Sequence, residues 1–558
     1  MFEIDNSKSG ENRRLHEADS LKGEITVPFC PESELSGVGE RDFMYCVWYK
    51  KEIELTLEEI SGKRVILHFG AADFLTKVWV NGALAGHEHR GGFAPFSYDI
   101  TKLVATGKNL ITVACYDETK SHDQPRGKQS DNFYSHDCVY TRTTGIWQTV
   151  WLEFLPETHI KYAKILPDLQ NSSVVIDAEL SGRADFSAEA YYEGRLVGRA
   201  EKKSLSWSGS LEIKLSETHA WEIGHGRLYG LVLKFGEDEV KSYFGLRTVA
   251  LEGGKFMLNG KSVFQRFVLD QGYYPDGIMT APTEDALARD IEISMSAGFN
   301  GARLHQKVFE PRFLYHADRL GYMVWGEYGS WGMNHSNIAN LAVFLPDWIA
   351  AVRRDINHPS IVTWCPFNEN ADYSTKRFRQ NDDFVKIVYE QTKICDPTRP
   401  CVDTSGWYHV VTDVYDIHDY EQDPTKFKER YDRLYTEDFL YDAWGENGTR
   451  QRWQGEPVCI SEYGGIALGA DVGIEKRQNK TDAWGYGDAA RSHEEFYARY
   501  KGLTDALLDN PRLFGFCYTQ LYDIEQEQNG LFTYEGRKPK MDISRIREIN
   551  SRKAAIED

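Results

Sequence analysis

From about Gly253-Gly254 onward the chain repeats one alternation: a short apolar run, then a stretch with the amphipathic period of a helix. The apolar runs are Val263–Asp270, Phe299–His305, Tyr322–Glu327, Ile361–Asn368, Pro400–Thr404, Val414–His418, Pro457–Glu462 and Leu513–Gln520. Thr283 to Ala297 shows the helical half of the grammar: Thr283 is the N-cap, Glu284 and Asp285 sit in the first turn, and Gly298 ends it. Eight strands with interposed helices over roughly 300 residues predict a C-terminal (β/α)8 TIM barrel, residues 251–558.

The upstream text is β-rich. Residues 1–157 carry short strand-like runs such as Arg64–Phe69, Lys77–Val80 and Asn109–Val113, with Asn81-Gly82 as a hairpin signal. They predict a β jelly-roll sandwich. Residues 158–250 alternate apolar and polar positions, as in Ser173–Ala178, and fit an immunoglobulin-like β-sandwich without disulfides.

Two barrel runs stop at a glutamate. Trp364-Cys365-Pro366-Phe367-Asn368 leads into Glu369 after the fourth strand, and Cys459-Ile460-Ser461 into Glu462 at the end of the seventh. Residues at the C-terminal ends of barrel strands point into the mouth where such folds do chemistry. A carboxylate nucleophile and a proton-donating carboxyl about 5 Å apart are what hydrolysis of a glycosidic bond with retention needs. Either glutamate alone reads equally well as a rim salt-bridge partner; the pair is harder to dismiss. Arg303 and Tyr463 are candidates to keep Glu462 ionised. Asp270, Glu327, His418, Tyr420 and Gln520 each end a predicted strand, and line the pocket or support a residue that does.

The formal net charge of −20 argues against nucleic acid and anionic membranes as partners. Fourteen Trp and 31 Tyr suit stacking on sugar rings as well as large β cores. Nine scattered cysteines, without a CxxC pair, read as free thiols in a reducing compartment. With a polar start and no apolar span, a cytoplasmic location is expected. His305 and His418 lack zinc-site spacing, and no HExxH, P-loop or dinucleotide fingerprint occurs, so neither a metal nor an organic cofactor is expected for catalysis.

Val78-Trp79-Val80-Asn81-Gly82, Gly91-Gly92-Phe93-Ala94-Pro95-Phe96, Thr143 to Leu152, Phe244-Gly245-Leu246-Arg247-Thr248 and Phe256 to Lys261 together resemble glycoside hydrolase family 2, the group of β-galactosidases, β-glucuronidases and β-mannosidases. The resemblance implies an exo-acting retaining β-glycosidase acting on an oligosaccharide or glycoconjugate. It makes Glu369 the acid/base, Glu462 the nucleophile and Asn368 the holder of the substrate 2-hydroxyl. A homo-oligomer is compatible with it.

The departures bear on the sugar. The Asn-x-Lys pair by which the family's β-glucuronidases grip a carboxylate is missing from Glu525-Gln526-Glu527-Gln528-Asn529-Gly530. Arg303-Leu304-His305-Gln306-Lys307 replaces the family's Ser-His-Tyr-Pro stretch after the arginine. A galactose-like terminal sugar is therefore expected, with a β-hexuronidase, a galactofuranosidase or an arabinosidase as alternatives. Arg477 and Lys480, in the loop after Glu462, would serve a uronate, with Lys307 as a further candidate; otherwise that loop is a solvated surface. Trp484 and Tyr486 are expected to wall the pocket. A carbohydrate-binding protein without catalysis is the rival that loss of either glutamate would have favoured.

Overall fold

The computed structural model describes residues 1–370, 379–442, 450–469 and 483–557. The N-terminal part is a β-sandwich. One antiparallel sheet runs Phe2–Ile4, Cys46–Leu55, Gly107–Tyr116, Leu75–Val80 and Ala83–Leu84; another runs Val150–Pro156, Lys63–Phe69 and Phe96–Asp99. Alternation decides which side chains are inside: Val65, Leu67 and Phe69 are buried and meet Val47, Val78 and Val113 in the core. Asn81 and Gly82, at φ 52° and 81°, form the two-residue turn that pairs Val80 with Ala83.

The middle part is made by one five-stranded antiparallel sheet folded over its own core. Ser173–Tyr192 is long enough to pair with His159–Asp168 along its first half and Tyr229–Phe235 along its second, while Arg195–Lys214 follows it throughout. Register shifts between Glu179 and Phe186 mark the bend. Val174, Ile176, Phe186, Leu211, Ile213 and Leu231 fill the interior.

In the barrel, the parallel order is Ile361–Cys365, Met323–Glu327, Gly301–Leu304, Gln265–Asp270, Leu513–Thr519, Val458–Gly464 and Tyr415–Asp419. The expected strand Pro400–Thr404 occupies the remaining position without forming a ladder. It makes isolated parallel bridges at Cys401 with Trp364 and at Ser405 with Asn368. Pro400 has no N–H to offer, and Asp403 turns its carboxylate onto the backbone N–H groups of Thr404, Val410 and Val411, so local bonds replace sheet bonds. The helix Glu284–Ser296 is capped by Thr283 Oγ1, which accepts from Ala286 N, and Gly298 follows at φ 86°. Among the described residues no helix is long and apolar enough to cross a membrane. All nine cysteines are unpaired, seven of them buried.

The N-terminal sandwich is docked on the barrel by its glycine pair. Phe93 and Ala94 N–H groups donate to the Asp347 carboxylate at 3.2 Å each, and Tyr328 OH donates to it at 2.7 Å. A Cβ on Gly91 would stand 2.1 Å from Asp347 Oδ1, so the close approach requires glycine.

Candidate active site

Parallel pairing places His418 beside Glu462. Glu462 Oε1 accepts from Arg303 Nη1 at 3.2 Å, and Glu462 Oε2 accepts from Tyr420 OH at 2.5 Å. Arg303 is fully buried and cannot lose its charge; it also donates to Glu327 Oε1 at 2.6 Å, Ser461 O at 2.8 Å and Asn368 Oδ1 at 2.9 Å. Burial alone would raise the Glu462 carboxyl, but His418, Arg303, His305 and the Tyr420 hydroxyl outweigh it and bring it down to about 2. This glutamate is a stable anion.

Glu369 follows the fourth barrel strand in the left-handed region, at φ 45°, a conformation uncommon for a residue with a Cβ and one associated with functional positions. Its N–H donates to Ser405 O at 2.9 Å. Its Oε1 lies 2.7 Å from His418 Nδ1. His418 Nε2 lies 3.2 Å from Arg303 Nη1, and its Nδ1 faces Glu369. Burial pulls the His418 pKa down, whereas the Glu462 and Glu369 carboxylates lift it above that of a free imidazole. Oxygens of Glu369 and Glu462 and a ring nitrogen of His418 all lie within 4.8 Å of one another. Glu369 keeps 17% of its side-chain surface and Glu462 6%, so the acid/base candidate is the one water can reach.

These same atoms form the one group among the described residues spaced to hold a metal ion. A cation there would sit among the two carboxylates and the His418 ring.

Behind His418 lies a buried polar layer. Ser405 Oγ is 3.1 Å from His418 Nε2 and donates to Asp416, which also accepts from Ser461 Oγ. His409 Nδ1 lies 2.7 Å from Asp403 Oδ1, and its Nε2 is 3.3 Å from Asp416 Oδ1.

Tyr463 and Lys307 are placed elsewhere, whereas Asp270, Gln520 and Glu327 are hydrogen-bonded to neighbouring residues. Tyr463 does not hold Glu462: successive strand residues face opposite ways, and its OH meets Thr504 on the helix His493–Leu508 at 2.8 Å. Tyr420 takes that role. Asp270 accepts from Tyr522 OH at 2.6 Å and Gly272 N at 3.0 Å; burial and Asp290 raise its pKa to about 6. Gln520 is spent on Gln271 at 2.7 Å and Asn529 at 2.8 Å, behind Glu527. Lys307 donates to the carbonyls of Gly272 and Met279 at 2.7 Å each, which removes it as a carboxylate grip. Glu327 is bound by Arg303 and His305. Arg477 and Lys480 lie outside the described residues.

Tyr486 stacks on Tyr420 at 3.4 Å and 3°, and Trp484 packs edge-on against Tyr486 while donating Nε1 to Asp137 O at 2.7 Å. Lys128, Tyr140, Trp331 and the placement of Glu527 escaped the sequence reading. The first two come from the N-terminal sandwich, and no local pattern says that this loop reaches the barrel mouth.

Residues 39–156 match the family profile "Glycosyl hydrolases family 2, sugar binding domain", and residues 249–551 match "Glycosyl hydrolases family 2, TIM barrel domain". The β-galactosidase of Thermoanaerobacter pseudethanolicus is 28% identical over 391 residues, 65% of this chain and 49% of that protein. The β-glucuronidase of Canis lupus familiaris is 26% identical over 440 residues, 71% of this chain and 65% of that protein. The chain thus spans about half the length of the first relative and just under two thirds of the second. The β-glucuronidase from Ruminococcus gnavus superposes with a TM-score of 0.79 at 20% identity, covering 98% of this chain and 96% of that one. That from Dictyoglomus thermophilum gives 0.74 at 23%, covering 96% and 95%. At these identities the superpositions carry the fold alone. The barrel profile spans more than half of the chain, and the protein belongs to glycosyl hydrolases family 2.

Proposed function

We propose that the protein is an exo-acting, retaining β-glycosidase that removes a neutral, galactose-like terminal sugar. The approach of Glu369 and Glu462 to within 4.8 Å carries the retaining part, because an inverting pair would leave room for a water between them. A Glu462 oxygen attacks the anomeric carbon while the bond to the aglycone oxygen breaks, and Glu369 gives that oxygen its proton. Water then attacks the glycosyl ester, Glu369 takes the water's proton, and the bond to Glu462 breaks. Asn368 Nδ2 is buried without a protein partner and is offered to the sugar 2-hydroxyl, a contact that strengthens in the transition state.

The neutral-sugar reading is supported by what stands in the Glu525–Asn529 stretch. Glu527 is a buried carboxyl accepting from Tyr140 OH and, at 3.1 Å, from Asn529 Nδ2. A sugar carboxylate would meet an acidic group there instead of a lysine. A β-hexuronidase is the second reading, favoured by the relatives whose names are β-glucuronidase. A panel of nitrophenyl β-galactoside, glucuronide, galacturonide, galactofuranoside and arabinoside separates them. The expected order has the galactoside first; a uronide turned over much faster overturns the choice of sugar. Product analysis with an alcohol acceptor separates hydrolysis from transglycosylation.

A further inference from the structure

The N-terminal sandwich sends a buried cation to the barrel mouth that the chemistry above does not use. The loop after Tyr116 is fastened there by Arg126 and Gly127, whose N–H groups donate to Trp331 O at 2.8 and 3.2 Å. Gly127 is at φ 59°, and a Cβ on it would stand 2.5 Å from Gln306 O, so the loop is seated tightly. Lys128 follows, 7% exposed, with its ammonium 4.2 Å from the centre of the Trp331 ring. The Trp331 indole N–H donates to Asn368 O at 2.8 Å, so this platform is bonded to the residue preceding the acid/base. On the other side Tyr140 N donates to Lys128 O at 2.7 Å, and the Tyr140 hydroxyl donates to Glu527. Lys128 and Glu527 are therefore tied to one another through Tyr140, and Lys128 to the catalytic strand end through Trp331.

Among the described residues no carboxylate or carbonyl is hydrogen-bonded to the Lys128 ammonium, which rests on the Trp331 ring. Glu527, Glu462 and Glu369 are all near enough to act on its charge, and none is paired with it. A cation–π contact offsets only part of what removing an ammonium from water costs. The missing partner belongs on the pocket side.

We propose that Lys128 is a specificity-determining residue that acts with Glu527 across the domain boundary, the ammonium donating to one hydroxyl oxygen of the terminal sugar and the Glu527 carboxyl accepting the proton of another. The assignment rests on the neutral-sugar reading. A hydroxyl can receive from an ammonium and give to a carboxylate, so neighbouring hydroxyls satisfy both groups at once; a sugar carboxylate would satisfy Lys128 but oppose Glu527.

The test uses the full chain with Lys128→Met and Lys128→Arg, assayed on nitrophenyl β-galactoside, its 2-, 3-, 4- and 6-deoxy analogues, and the glucuronide and galacturonide. Loss of a charge-assisted bond lowers kcat/KM on the galactoside roughly ten- to a hundredfold in Lys128→Met. Lys128→Arg recovers part of that loss. One deoxy analogue that is poor for the wild type should be no poorer for Lys128→Met, because its partner is already gone, while the 2-deoxy penalty persists in both through Asn368. If Lys128→Met stays within twofold of wild type across the series, or its loss is the same on every deoxy analogue, the Lys128 assignment falls and the sugar reading stands. If the wild type prefers a uronide, the sugar reading falls and the assignment with it. A matched thermal unfolding curve for Lys128→Met ensures that the rates compare folded proteins.

Discussion

Arg303 Nη2 donates to Asn368 Oδ1 at 2.9 Å, and that bond decides which way the amide faces. A guanidinium has only donors, so the oxygen must turn to it and the Asn368 NH2 group must turn away, buried and without a protein partner. The same guanidinium reaches Glu462. One buried cation thus sets both the charge of Glu462 and the orientation of Asn368 beside it.

Asn368→Ala should therefore cost much more on a glycoside with its 2-hydroxyl than on the 2-deoxy analogue. The hydroxyl contact strengthens in the transition state, so a loss of roughly a hundredfold in kcat/KM is expected on the full sugar. Equal losses on both substrates would show that Asn368 serves only the fold.

Glu462→Gln should lower turnover by several orders of magnitude, because the amide cannot form the glycosyl ester. Mass spectrometry of protein quenched with a slow 2-fluoro glycoside should find the sugar on the wild-type peptide containing Glu462 and not on the variant. Wild-type turnover by Glu462→Gln would remove the assignment.

Glu369→Ala should discriminate by leaving group. A sugar alkoxide needs a full proton as it departs, whereas an activated phenolate needs little. Activity on a disaccharide should be lost far more severely than activity on the dinitrophenyl glycoside, and equal losses would mean that Glu369 is not the acid.

Tyr420→Phe removes a donor from the ionised form of Glu462. Its pKa, held at about 2 in the intact site, must then rise, and the acidic limb of kcat/KM must move to higher pH. A lost hydrogen bond to a charged group is worth about 1.5–3 kcal/mol, or roughly one to two pH units. A uniform fall in rate with the limb unmoved would assign Tyr420 to packing against Tyr486.

Barrel elements were legible because their signals are local. Thr283 caps, Gly298 stops, and the apolar runs leading to Glu369 and Glu462 end at the mouth. Tyr463 could have been excluded from the pocket by strand parity alone, since it is Glu462's immediate neighbour and must face the opposite way. The irregular segment at Pro400 was harder to see, because Asp403 defeats the ladder through side-chain bonds that hydropathy does not register. Lys128 was not legible. A polar loop of a β domain says nothing about a tryptophan some two hundred residues later, and only the docking of Gly91 and Gly127 on the barrel brings them together.

His409 should make stability fall as the solution turns alkaline. Burial disfavours its cation, but Asp403 and Asp416, on either side, raise its pKa to about 9 from the usual 6.5. A group raised in the folded state contributes fully below its unfolded pKa, and the contribution disappears as pH rises through the folded value. The stabilisation should therefore be complete near pH 6, decline between about 6.5 and 9, and be gone above that, with a size on the order of 3 kcal/mol. Urea unfolding of the barrel at pH 6, 8 and 10 measures it. His409→Gln should be less stable than wild type at pH 6, and the difference should close across the same window, because glutamine has no proton to lose. A difference that stays constant from pH 6 to 10 would show that Asp403 and Asp416 hold a neutral imidazole.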